Sequence, residues 1–240
     1  HINVAMLMPT YSLKEIMEFL NQLHANNNRQ WFAEHKSEFL HVQQEFNEFV
    51  KELISGISTF DPSVTGLTPS DCTYRIYRDV RFSDDKSPYK THFGAFIAKG
   101  GKKSRYMGYY VHISMGGDAY PHCHMIAAGD YCCDAKVLQV VREDILDGEG
   151  DFHDIVTRVA DSRFVLDRDN SLKRNPKGFP DGAPWSEYLR LKNYCLVYMP
   201  DNNFMLSPNP VERIVELLRT AKPFVDYVNR AIEYVRGGGF

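Results

Sequence analysis

The chain has 240 residues, 43% of them hydrophobic and 25% charged, and a formal net charge of −3 at pH 7. This length suits one large domain or two small ones, and the composition is that of a globular chain with a core rather than a disordered one. No apolar run approaches the roughly 20 residues that a spanning helix needs, and the negative balance argues against a positively coated protein made for broad non-specific DNA binding.

The start of the chain has no basic stretch ahead of an apolar one, so it does not read as a secretion signal. His1 in place of a starting Met points to a remnant or a cut site. Residues 1–11 therefore read as an N-terminal extension, and 12–240 as a single α+β domain. The cysteines are Cys72, Cys123, Cys132, Cys133 and Cys195. Their number is odd and no C-x-x-C occurs, which fits reduced thiols in a cytoplasm better than a disulfide framework or a zinc knuckle.

The first helix begins at a capping box of Ser12 and Glu15. Leu13, Ile16, Met17, Leu20 and Leu23 then share one helical face. The run Asn26-Asn27-Asn28 breaks it. Trp31, Phe32, Phe39, Val42, Phe46, Phe49, Val50, Leu53, Ile54 and Ile57 keep helical spacing as far as Asp61-Pro62. Trp31 and Phe32 read as core aromatics that pack a second helix on a sheet. Strands are expected over 74–82, 92–98 and 106–114, with another over 123–127. Gly100-Gly101 and Gly116-Gly117 mark turns. Helical pattern returns over 136–146 and, briefly, over 152–159. Residues 167–185 read as a long loop rich in Pro, Gly and charge. A strand follows over 194–199. Ser207-Pro208 reads as an N-cap with Pro at the first helical position, and Pro223 is expected to divide the last helical stretch in two. The fold class is α+β, a mostly antiparallel central sheet packed with N-terminal and C-terminal helices.

The most unusual segment spans 75–90. On a strand over 74–82, Arg75, Tyr77, Asp79 and Arg81 share one face, and Arg78 sits among apolar residues on the other. A guanidinium there demands a carboxylate, for which Asp84 or Asp85 is at hand, or a bound anion. Arg presents a planar fork, Lys a point charge and Tyr a hydroxyl. Arg75, Arg78, Arg81, Lys86, Tyr89 and Lys90 thus read as an anion-binding set. In an enzyme, Asp79 or Asp85 would serve as base or metal ligand, and Lys86 or Tyr89 as acid. The alternative is a salt-bridge lattice that only fixes the fold.

The pattern R-x-x-R-D-x-R-F-x-x-D-K-x-P-Y-K, formed by Arg75, Arg78, Asp79, Arg81, Phe82, Asp85, Lys86, Pro88, Tyr89 and Lys90, resembles the signature of a bacterial family, domain of unknown function 2461. Asn27-Asn28-Arg29-Gln30-Trp31-Phe32 is similar to that family's N-N-x-x-W-F element. Tyr109-Tyr110-Val111-His112 is similar to its aromatic strand, and 172–179 to its L-K-R-x-P-x-G-F loop. The resemblance runs over most of the chain and implies no established activity.

Within that loop, Lys173, Arg174 and Lys177 are expected to join the 75–90 cations if the loop folds over them; otherwise they form a solvated basic loop. Arg29 is a further candidate to reach the charged segment. The D-x-K spacing of Asp84 and Lys86, with Asp71 or Asp79 as second acid, matches a metal-dependent phosphoesterase or nuclease. His112, His122 and His124 offer three imidazoles for a metal; the alternative is a set of surface histidines. Nothing local activates Cys72 or Cys123 as a nucleophile. No dinucleotide, Walker, zinc-protease or serine-hydrolase motif is present, and the sequence leaves the cofactor unknown. The expected partners are a phosphorylated small molecule, a nucleotide or a nucleic-acid end, with no membrane.

Overall fold

The computed structural model describes residues 10–130 and 133–238. Most of the expected extension over 1–11, and Cys132, lie outside the described residues. Helix α1, Leu13–Ala25, starts where Ser12 Oγ accepts the Glu15 N–H at 3.2 Å. Only this half of the capping box forms, because the Ser12 N–H goes to Glu45 and the Glu15 carboxylate to His41. Asn28 caps the short α2, Arg29–Glu34, by accepting the Trp31 N–H. The long α3, Lys36–Ser58, buries its stripe from Phe39 to Ile57. A short α4 covers Pro69–Cys72.

Strands β1, Phe93–Ile97, β2, Gly108–Ile113, and β3, Met125–Asp130, form an antiparallel meander. Helices α5, Ala135–Asp147, and α6, Asp151–Ala160, lead to the two-residue β4, Val165–Leu166. After the loop come α7, Ser186–Leu189, β5, Tyr194–Tyr198, α8, Asn202–Met205, and α9, Pro210–Arg236. The sheet is fully antiparallel in the order β1-β2-β3-β5-β4.

Because side chains alternate along a strand, register decides what each face carries. Phe93, Ala95 and Ile97 lie opposite Ile113, Val111 and Tyr109. With Ile126, Ala128 and Leu196 they belong to the one large core, shared with α1, α3 and α9. The other face carries Gly94, Phe96, Tyr110, Met125, Ala127, Cys195 and Val197. Met125, Ala127 and Cys195 make only a small separate apolar cluster, with Tyr110 and Val197 beside it. The helices thus cover one face of the sheet.

Three expectations need correction. Residues 74–82 are not a strand. They form the first arm of a narrow hairpin, bridged at Tyr77 and Tyr89, with the Arg78 N–H on the Pro88 carbonyl and the Lys90 N–H on that of Ile76. The alternation ends at the tip, where Phe82 is 97% exposed. Pro223 does not divide the last helix: α9 is one 27-residue helix. Pro223 lies on its exposed side, so the hydrogen bond it cannot make falls where water replaces it, while Ala221, Phe224 and Val225 stay buried. Its N-cap is Asn209 with Pro210 at the first helical position, not Ser207-Pro208; the Ser207 hydroxyl instead donates to Phe204 at the end of α8.

Among the described residues, no helix is long and apolar enough to cross a membrane. Phe49 is fully buried on α3, in ring contact with Tyr11 and Phe46. Phe49→Ala is expected to destabilise the protein by about 3–5 kcal/mol in urea unfolding; a loss below about 1 kcal/mol would contradict this core.

Candidate functional site: a charged cleft over the open sheet face

The uncovered sheet face floors an open cleft of about 1750 Å³. Gly94, Ala127 and Gly129 keep the floor low. The Tyr110 hydroxyl lies over Gly94, where a Cβ would stand only 2.8 Å from it. Gly129 has φ +115, and a Cβ there would run into the Tyr194 carbonyl on β5. Tyrosines 74, 106, 110, 120 and 198 line the space.

One wall is the 74–90 hairpin. Asn27, between α1 and α2, holds it: Nδ2 donates to the Tyr89 carbonyl at 2.9 Å and Oδ1 accepts the Tyr89 N–H at 3.2 Å. The Tyr89 ring is buried and stacks on Phe32 at 4.0 Å. Burial raises its hydroxyl pKa, with Tyr77 adding to the effect and the charge of Arg29 opposing it. Arg29 therefore does reach this segment electrostatically.

The motif residues divide into two groups. Arg78 Nη1 bonds Asp85 Oδ2 at 2.9 Å and the Ser87 carbonyl at 2.9 Å, and Nη2 reaches Ser83 Oγ at 3.3 Å. Arg78 thus staples the hairpin's own tip. Arg81 grips Asp79 through Nε and Nη2 at 3.0 and 2.6 Å. Lys86 donates to the Val80 carbonyl. Hydrogen bonds from Arg81 hold Asp79 below the usual carboxylate range, and those from Ser87, with Arg78, do so for Asp85. Carboxylates so held are weak bases.

The second group is Arg75 and Lys90. Lys90 Nζ donates to the Arg75 carbonyl at 2.8 Å and lies over the Tyr74 ring. Burial lowers the Lys90 pKa and the Arg75 charge lowers it further. Two cations therefore share this wall, and neither makes an ion pair among the described residues.

Arg75, Arg78, Asp79, Asp85, Tyr89 and Lys90 line the cleft; Arg81, Lys86, Lys173, Arg174 and Lys177 do not. The 172–179 loop is tied elsewhere, with Asn175 bonded to Pro180, Ser186 and Arg190, and its three cations point to solvent. Other cations take their place. Lys102 and Arg105 come from the β1–β2 turn, and Arg163 and Arg168 flank β4. Arg163 bonds the Tyr198 hydroxyl at 3.0 Å. Sequence patterns missed these four because Lys102 and Arg105 sit in a short basic turn, Lys102-Lys103-Ser104-Arg105, that reads as solvated, while Arg163 and Arg168 stand singly far along the chain; only the order of strand pairing gathers them.

Of the three imidazoles expected either as a metal group or as surface residues, His122 is half-buried at the cleft, the other two are not at the surface, and the three are not gathered as donors among the described residues. His112 and His124 are fully buried. His112 bonds Tyr110 and the Cys123 carbonyl, while His124 accepts from the Ser114 N–H and contacts Asn202. Both rings are thus committed to structure. His122 stacks edge-on to His24 at the cleft. Asp71 caps α4 through Thr68, and Asp79 and Asp85 are each bonded to an Arg, so among the described residues these three acids are already engaged. Burial pushes the Cys72 thiol up to about 12 and raises Cys123 as well, so neither is an activated nucleophile.

Fold and site together define an α+β protein with a one-sided antiparallel sheet and a cation-walled cleft on its open face. The chain belongs to the conserved hypothetical protein family DUF2461, which matches residues 15–227. No curated protein and no solved structure matches the chain.

Asn27→Ala removes both bonds to Tyr89 and is expected to cost about 1–3 kcal/mol. Hydrogen exchange should then speed up at the Lys90 and Arg78 amides; unchanged exchange there would sink the clamp. His92 and His112 give a pH signature. Burial, with neighbouring His112, Lys90 and His122, lowers His92 to about 3. Burial, with His124, lowers His112 to about 4. Both are neutral in the fold, whereas the unfolded chain takes up protons as pH falls through 6.5. Stability should therefore be lost on acidification from pH 6.5 toward 4, by about 1.4 kcal/mol per pH unit for each ring. His92→Gln should flatten that slope in urea titrations at pH 7, 6 and 5; an unchanged slope would refute the assignment.

Proposed function

We propose that the cleft binds a phosphate-bearing ligand, a nucleotide or a nucleic-acid end, with Arg75 and Lys90 as its primary anion contacts. The observation that carries this reading is the placing of those two cations side by side on the cleft wall, neither of them in an ion pair among the described residues. Lys90 is half-buried beside the exposed Arg75; a cation partly desolvated next to a like charge raises the free energy of the unliganded fold, and an anion between the two relieves it. Lys102, Arg105, Arg163 and Arg168 also line the cleft and make no ion pair among the described residues. The cleft lining holds seven Lys and Arg side chains against five Asp, with Asp130, Asp167 and Asp169 beside Asp79 and Asp85, so the local balance is positive by two in a chain of net charge −3.

Size and lining narrow the ligand. A cleft of about 1750 Å³ exceeds the roughly 300–1,000 Å³ of common small-molecule pockets. Tyrosine faces beside cations suit a base stacked next to its phosphate. Both features favour a nucleotide or the phosphorylated end of a strand over a small sugar phosphate. Arg78, Arg81 and Lys86 act differently in this reading: they hold the hairpin's shape, which is the lattice role confined to its tip.

The test is a binding titration at two salt concentrations with inorganic phosphate, nucleoside monophosphates and 5′-phosphorylated trinucleotides. Arg75→Ala and Lys90→Ala should each weaken binding at least about tenfold, as expected for a lost charged hydrogen bond. Lys173→Ala should leave it unchanged. Equal affinity in wild type, Arg75→Ala and Lys90→Ala would end this reading.

A further inference from the structure

Away from the cleft, α1 and α3 bring three donor groups together. Glu15 stands on α1, and His41 and Glu45 stand one turn apart on α3. His41 Nε2 lies 3.1 Å from Glu15 Oε2 and 3.7 Å from Glu45 Oε2. One donor atom from each of the three residues lies within 4.8 Å of the other two. The i, i+4 spacing places His41 and Glu45 on one helical face, and the packing of α1 on α3 supplies the third group. Around a tetrahedral ion with bonds of about 2.0–2.1 Å, ligand atoms stand roughly 3.3 Å apart. The two distances bracket that edge.

Contacts between acids and histidines are common on protein surfaces, and most are simple ion pairs. Glu45 sets this cluster apart. It is only 7% exposed, and its Oε2 has no hydrogen-bond partner among the described residues. A buried carboxylate oxygen left in that state is costly. The other oxygen, Oε1, accepts the Ser12 N–H at 3.0 Å. That bond orients the carboxylate so that Oε2 faces the imidazole, the part an outer-shell partner plays at a metal centre. The side chains of Glu15 and His41 are 52% and 65% exposed, which leaves an ion a path in and a face open to water.

We propose that Glu15, His41 and Glu45 form a site for a divalent transition-metal ion, completed by water, that fastens the start of α1 to α3. One imidazole with two carboxylates suits Zn²⁺ better than Mg²⁺, which favours octahedral all-oxygen shells and keeps its waters. None of the three residues lines the cleft, so this site stands or falls independently of the anion ligand.

The experiment uses the full chain without a histidine tag, first dialysed against chelator. Zn²⁺ is titrated by calorimetry, Co²⁺ by visible absorption, and Tm is read with Zn²⁺ or Mg²⁺. Glu15→Gln and His41→Ala are measured alongside; both side chains are exposed, so the fold should survive. The expected result is one ion per chain, a raised Tm with Zn²⁺ but not Mg²⁺, and an intense Co²⁺ band of a four-coordinate site. Each variant should bind at least about tenfold more weakly and lose the band. No uptake by wild type overturns the proposal. So does Zn²⁺ uptake of equal affinity in both variants, which would place the ion on other residues. An equal Tm rise with Mg²⁺ overturns the assignment to a transition metal.

Discussion

Asn27 treats Tyr89 as a neighbouring strand would, giving a donor to its carbonyl and an acceptor to its N–H. This exchange fixes the second arm of the cleft wall, while the Tyr74 N–H on the Gly94 carbonyl and the Thr73–Ala95 bridge pin the first arm to β1. Tyr89 is otherwise tied to the protein through a two-residue ladder with its own hairpin and a ring stack on Phe32. With the backbone of Tyr89 fixed to the helix junction, Lys90 and Arg75 are held above the floor instead of drifting with an exposed loop. Two segments far apart in the chain, 27–32 and 75–90, thus form one structural unit.

That unit matters because the sheet is covered on one side only. The helices α1, α3 and α9 take the face that carries Phe93, Tyr109, Val111 and Ile126. The opposite face sets Gly94, Ala127 and Gly129 among Phe96, Tyr110, Met125 and Val197 and makes only a small apolar cluster, with no helix packed on it among the described residues. An antiparallel sheet tolerates this arrangement. The result is a broad floor with loops rising at both edges, the 74–90 hairpin beside β1 and the 163–169 segment beside β5.

Charge is then sorted by geometry. The hairpin carries enough acids to neutralise Arg78 and Arg81, and these pairs stay at its tip. Nearer the floor, Arg75 and Lys90 make no such ion pair among the described residues. The helical face holds a second imbalance, the Glu45 Oε2 that has no hydrogen bond among the described residues and lies 3.7 Å from His41, and the two lie on separate parts of the molecule.

Residues near one another in the chain determined much of this by themselves. The Ser12 cap, the stripes of α1 and α3, the alternating strands β1, β2 and β5, and the need of Arg78 for a carboxylate all follow from local spacing, because helix and strand periods act over a few residues. The 74–82 segment shows where such reading ends: its alternation is real, but no neighbouring strand accepts it, so it closes on itself. Pro223 is similar, since its cost depends on which side of α9 faces water. Tertiary structure alone decided that Lys173, Arg174 and Lys177 point away while Lys102, Arg105, Arg163 and Arg168 gather. It also decided that His112 and His124 are buried supports. Strand order β1-β2-β3-β5-β4 and the packing of three helices on one face set those positions. Both are long-range choices, in which the free energy of burying the large core outweighs any local preference of the residues that end up around the cleft.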